Sequence, residues 1–112
     1  MKKLKVFIAG PYTKGDVGLN VRKALYIADT LLEMGYYPYV PHLTHFWHIL
    51  YPREYNLWMK LDAEFLSVCD IVLRIGGESK GADMEVERAK LLDIPVCYSV
   101  EELTRKYQGW RE

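Results

Sequence analysis

The chain has 112 residues, half of them apolar, and its 15 lysines and arginines balance its 15 aspartates and glutamates. That length suits a single domain spanning residues 1–112. Zero formal charge argues against a nucleic-acid polymer as partner, and no apolar run approaches the ~20 residues of a membrane span. Charged residues and glycine interrupt the chain soon after Met1-Lys2-Lys3-Leu4. This start therefore reads as a strand and not as an export signal, and a cytoplasmic location is expected. Cys69 and Cys97 both sit inside apolar stretches and are expected as buried free thiols.

Leu4 to Ala9 reads as an apolar strand ending in Gly10-Pro11-Tyr12-Thr13. A glycine directly after a first strand permits close approach by a ligand or a neighbouring element. After a small polar loop, Val21, Ala24, Leu25, Ala28, Leu31 and Leu32 follow helical spacing, with Asp16 or Asn20 as cap and Gly35 as the stop. Tyr36 to Val40 is a second strand closed by Pro41. The stretch from His42 to Pro52 shows no clean period and holds all three histidines among aromatics, so a loop is expected. His45 and His48 lack a carboxylate or cysteine to complete a metal set. An aromatic wall over a planar ligand suits His45 and Phe46 better. A helix follows over about 53–68, with Leu57, Leu61, Phe65 and Val68 as its buried stripe and Trp58 and Asp62 on the flank.

Asp70-Ile71-Val72-Leu73 is a third strand, and Gly81 to Leu92 a third helix. Between them lies a loop with three glycines, Ser79 and Lys80. Glu85, near the start of that helix, is expected to be held ionised by the helix dipole. Ile94 to Val100 reads as a fourth strand, and Glu101 to Gln108 as a short amphipathic helix. The order predicts an α/β fold: a doubly wound, open parallel sheet of four or five strands, order 2-1-3-4, flavodoxin- or Rossmann-like, with helices on both faces. Its switch point brings the Gly10 loop and the Gly76–Gly81 loop into one crevice.

Several chemistries are excluded at that crevice. Strand 1 leads into no GxGxxG, the loop before Gly81 lacks the GK[ST] ending of a P-loop, and no GxSxG elbow exists. Carboxylate chemistry remains, in which one acid attacks or stabilises a cationic sugar carbon and a second assists the leaving group. Neither a metal nor another cofactor is expected.

Phe7-Ile8-Ala9-Gly10-Pro11-Tyr12, Asn20, Pro41-His42-Leu43, His45-Phe46, Asp62, Cys69-Asp70-Ile71-Val72 and Ser79-Lys80-Gly81-Ala82-Asp83-Met84-Glu85 with Ala89 carry a family likeness. Through them the chain resembles the nucleoside 2-deoxyribosyltransferase superfamily, and most of all its small 2′-deoxynucleoside 5′-phosphate N-hydrolases and compact deoxyribosyltransferase-like proteins. The Ser-x-Gly-x-x-x-Glu segment is the most specific part. The resemblance implies that Glu85 is the nucleophile taking the sugar and that Asp62 orients it or handles the leaving base's proton. It implies that Gly10, Pro11, Tyr12, Ser79 and Gly81 hold the sugar and a 5′-phosphate. Lys80 is a candidate phosphate contact, and Trp58 joins His45 and Phe46 as a binding residue. A homodimer or higher homo-oligomer is implied too, with the aromatic middle loop and the Trp110 tail as candidates for closing a neighbour's pocket.

The chain departs from the family at Arg74-Ile75-Gly76-Gly77-Glu78, where the best-characterised transferases carry a more acidic loop. Asp83 adds a carboxylate expected to raise the pKa of itself or Glu85. Arg74, Lys80 and Asp83 therefore also motivate an alternative: a nucleotide- or sugar-phosphate-binding module without turnover. The small-molecule partner is a nucleoside or nucleotide in either case.

Overall fold

The computed structural model describes residues 3–107; the tail residues Gln108 and Trp110 lie outside the described residues. In chain order the elements are β1 (Lys5–Ala9), α1 (Val17–Glu33), β2 (Tyr37–Tyr39), α2 (Thr44–Leu50), α3 (Tyr55–Leu66), β3 (Ile71–Arg74), α4 (Lys80–Leu91), β4 (Val96–Cys97) and α5 (Val100–Tyr107). All strand pairs are parallel and the order is β2-β1-β3-β4, as the sequence predicts. No fifth strand forms among the described residues.

Side chains alternate across each strand, so the sheet divides the interior into two apolar layers. Val6, Ile8, Ile71 and Leu73 pack against Ala24, Ala28 and Leu31 of α1 and Leu103 of α5. Phe7, Ala9 and Val72 face Leu66 of α3 and Ala82 and Ala89 of α4. Helices thus cover both faces. Full burial of side chains the size of Phe7 or Leu31 contributes roughly 1.5–3 kcal/mol each.

Helix α1 starts where Asp16 accepts from the Leu19 N–H, while Asn20 is not the cap. Its amide instead donates to the carbonyls of Tyr12 and Lys14, tying the first loop to the helix. At the far end Gly35 adopts φ 98°, and Gly35 and Tyr36 donate back to Leu32 and Leu31. That paired closure needs a left-handed residue, which glycine supplies without a Cβ clash. Asp70, just before β3, accepts from the Lys5 N–H at 2.8 Å and pins the start of β1.

The structure corrects the sequence reading in three places. The stretch expected to be a loop contains α2, preceded by a short 3₁₀ turn over Pro41–Leu43. Phe46, Trp47, Ile49 and Leu50 spread around this short helix and all are exposed, so no polar face marks its period. Helix α3 is rotated from its expected orientation. Leu57, Phe65 and Val68 are exposed, and Asp62 and Leu66 are the buried positions. The fourth strand pairs only at Val96 and Cys97. Beyond it, Tyr98 N–H donates to Glu102 and Glu102 N–H to Ser99, an exchange that turns the chain into α5.

Candidate active site

Two loops leave the C-terminal ends of adjacent strands β1 and β3 and meet at the switch point. Ile75 N–H donates to the Ala9 carbonyl at 2.7 Å. A Cβ on Gly10 would stand 3.0 Å from that of Ile75, and one on Gly77 would stand 2.8 Å from Pro11 Cγ. These glycines let the loops pack on each other. Gly77 is at φ 117°, a region that side chains other than hydrogen disfavour. Arg74 ties the second loop from within, donating to the carbonyls of Ile75 and Gly77 and pairing with Asp83 at 3.0 Å.

Under the joined loops, on the α3 and α4 side, is a cavity of about 370 Å³. Helix α3 lines it with Tyr55, Trp58, Met59 and Asp62, a run at i, i+3, i+4 and i+7. The inward face of α3 is thus a pocket wall first and a core stripe only at Leu66. Helix α4 contributes Lys80, Gly81, Ala82 and Glu85, and the first loop contributes Gly10, Tyr12, Thr13 and Lys14. Ser79 also lines the cavity while its hydroxyl oxygen accepts from Ala82 N–H, starting α4.

The defining feature is a pair of buried carboxylates. Asp62 is 6% and Glu85 8% exposed. Burial pushes Glu85 up to about 8, helped by the charge of Asp62 and opposed by the Arg74 guanidinium. Burial likewise raises Asp62 to about 7. The expectation of an ionised Glu85 is therefore corrected. It lies six residues beyond the Ser79 cap, past the first turn where the helix dipole acts, and desolvation outweighs the dipole. Asp83, expected to perturb it, is engaged by Arg74 at the surface instead. Asp62 Oδ1 meets no hydrogen-bond donor among the described residues.

The remaining candidates divide. Tyr12 lines the cavity and its hydroxyl bonds His45 Nδ1 at 2.9 Å, so His45 stands behind Tyr12 and not in the wall. Phe46 lies further out, edge-on to His45 and 56% exposed. Pro11 is absent from this wall, and its carbonyl accepts from His42 Nε2 at 3.0 Å. Trp58 Nε1 donates to His48 Nδ1 at 2.9 Å, which fixes the indole and makes Nδ1 of His48 an acceptor. Gly81 is small because the Tyr55 hydroxyl sits only 2.6 Å from where its Cβ would be.

Sequence reasoning assigned no role to Tyr55 or His42. The Tyr55-Trp58-Met59-Asp62 spacing was a usable signal for the first. His42 is buried, burial lowers its pKa, its Nε2 donates to the Pro11 carbonyl, and its Nδ1 is unpartnered among the described residues. No three His, Cys, Asp or Glu side chains gather into a metal site among the described residues.

Fold and pocket define a class: a doubly wound α/β domain with a buried acid pair at its sheet switch point. The chain belongs to the family described as Domain of unknown function (DUF7768), whose model matches residues 4–99. Among solved structures it is similar to a 2-deoxyribosyltransferase from the psychrotolerant bacterium Bacillus psychrosaccharolyticus. The TM-score is 0.60 at 22% identity, over 82% of this chain and 69% of that one, a likeness of fold. No curated protein matches the chain.

Proposed function

We propose that this protein cleaves or transfers the N-glycosidic bond of a (deoxy)nucleoside or nucleoside 5′-monophosphate, with Glu85 as nucleophile. The observation that carries this is the Asp62–Glu85 pair, two acids desolvated beside one cavity. The fold shared with a deoxyribosyltransferase supports it. With Glu85 raised to about 8 and Asp62 to about 7, the pair holds close to one proton near neutrality. The reaction uses the one-proton form in which the proton sits on Asp62 and Glu85 is ionised, the minor of the two arrangements because Glu85 binds the proton more tightly.

The Glu85 carboxylate attacks C1′ while the C1′–N bond breaks, and the departing base takes the proton from Asp62. A glycosyl ester on Glu85 results. Water, deprotonated by the Asp62 carboxylate, then releases the sugar, or the nitrogen of a second base does. Tyr12, Ser79 and Gly81 hold the sugar, Trp58 and Tyr55 flank the base, and Lys80 stands at the rim for a 5′-phosphate. His45, Phe46 and Pro11 serve behind this layer, supporting Tyr12 and the loop.

The same proposal includes a homo-oligomer. The exposed apolar residues Phe46, Trp47, Ile49 and Leu50 of α2 and Leu57 and Phe65 of α3 suit a subunit contact. Sedimentation of Trp47→Glu against the unaltered protein tests it. A reducing, cytoplasmic setting fits the two buried free thiols.

To test the activity, the pure protein is incubated with deoxynucleosides and their 5′-monophosphates, with and without acceptor bases, and free base is followed by chromatography. Base release abolished in Glu85→Ala is expected. Ligand binding with no release in any mixture would favour a non-catalytic module.

A further inference from the structure

Helix α2 buries none of its side chains, yet three of them hold residues of the cavity wall. His45 and His48 stand i, i+3 on one face of it. His45 Nδ1 bonds the Tyr12 hydroxyl of the first loop, and His48 Nδ1 accepts from Trp58 Nε1 of α3, both at 2.9 Å. Tyr12 and Trp58 both line the cavity, so α2 ties the first loop to α3. Trp47 meets Trp58 in a T-shaped contact, with ring centroids 5.2 Å apart and planes at 71°.

His48 is the pivot of this arrangement. Its Nδ1 also accepts from Arg53 N–H at 3.2 Å, in the link that enters α3. Two N–H donors on one nitrogen leave it no proton of its own, so the ring proton sits on Nε2. An indole has a single polar atom, and in Trp58 that atom is already bonded to His48. What Trp58 offers the cavity is therefore apolar π surface alone, held in one rotamer by a bond on its outer side.

We propose that His48 is a positioning residue: it fixes the Trp58 indole in the cavity wall as an apolar rest for a planar ring. Without its acceptor the indole turns among rotamers, and its N–H competes for polar atoms that belong to the ligand. That the ring is a nucleoside's base rests on the function proposed above, whereas the fixing of Trp58 stands on the His48 contacts.

Nuclear magnetic resonance of the intact protein tests the fixing. Trp47, Trp58 and Trp110 give three indole N–H signals, and Trp58→Phe identifies the second. In the unaltered protein that signal is expected to exchange slowly with water. His48→Leu has no acceptor and should speed the exchange about tenfold. His48→Asn, whose amide oxygen falls where Nδ1 stood, should restore it. Calorimetry with 2′-deoxyadenosine reads the effect on binding: affinity about three- to tenfold weaker in His48→Leu and recovered in His48→Asn. Circular dichroism checks the folding of both variants. A Trp58 signal that exchanges freely in the unaltered protein, or is unmoved by His48→Leu, overturns the proposal. So does 2′-deoxyadenosine bound equally well by the unaltered protein and His48→Leu. An indole that responds to His48 in a protein binding no nucleoside supports the positioning of Trp58 and removes the nucleoside function instead.

Discussion

Replacing Glu85 by glutamine should stabilise the protein, and only at neutral to alkaline pH. In the unfolded chain this carboxyl titrates near its ordinary 4.5, whereas burial and Asp62 push it up to about 8 in the fold. Between those values the folded state holds a proton that the unfolded state has lost, so stability falls as pH rises. The full contribution is present below about 4.5 and is gone above about 8. At ~1.4 kcal/mol per tenfold change in proton affinity, this sets a penalty on the order of 3–5 kcal/mol at pH 9. Glutamine keeps the shape without the charge. Glu85→Gln should therefore match the parent near pH 5 and exceed it at pH 9, with a Tm higher by on the order of 10 °C or more. Thermal and urea denaturation followed by circular dichroism from pH 5 to 9 reads the difference directly. A gap between the two proteins that stays constant with pH would show a solvated carboxylate and refute the buried-pair description.

Three further outcomes follow from the same geometry. The pH profile of kcat/KM should be a narrow bell with its maximum between about 7 and 8, because lower pH protonates both acids of the pair and higher pH ionises both, the last proton leaving mainly from Glu85. A monotonic profile over pH 5–9 would contradict the shared proton. Arg74→Met removes the cation that lowers Glu85 and should move the alkaline limb upward; an unmoved limb would mean the guanidinium does not act on the pair. Gly77→Ala meets both φ 117° and Pro11 Cγ at 2.8 Å, so it should destabilise by about 1–3 kcal/mol. Gly76→Ala, with open space around it, should be close to neutral by comparison, and equal losses in chemical denaturation would refute the packing described.

The sheet was legible because parallel strands buried on both faces read as short apolar runs, as in Leu4 to Ala9 and Ile71 to Leu73. The site corner was legible because Ser79 and Glu85 frame the start of a helix that follows such a strand. Helix α2 was hidden because its apolar residues surround it and none is buried. The facing of α3 was misread for a more instructive reason. Apolar residues were assigned inward, but the inward surface here is a pocket wall, and a wall uses Tyr55, Trp58 and Asp62 where a core would use leucine. Leu57 and Phe65 are left outside as a consequence. The protonation of Glu85 was illegible from position alone, since helix position argues for ionisation and only the depth of burial reverses it.

The central claim is that Glu85 receives the sugar, and mass spectrometry of the acid-quenched protein during turnover tests it most directly. The proposed chemistry predicts a mass increase of one glycosyl group, located on the peptide containing Glu85 and absent from Glu85→Gln. Base release that continues in Glu85→Gln, or an adduct on any other residue, would contradict it.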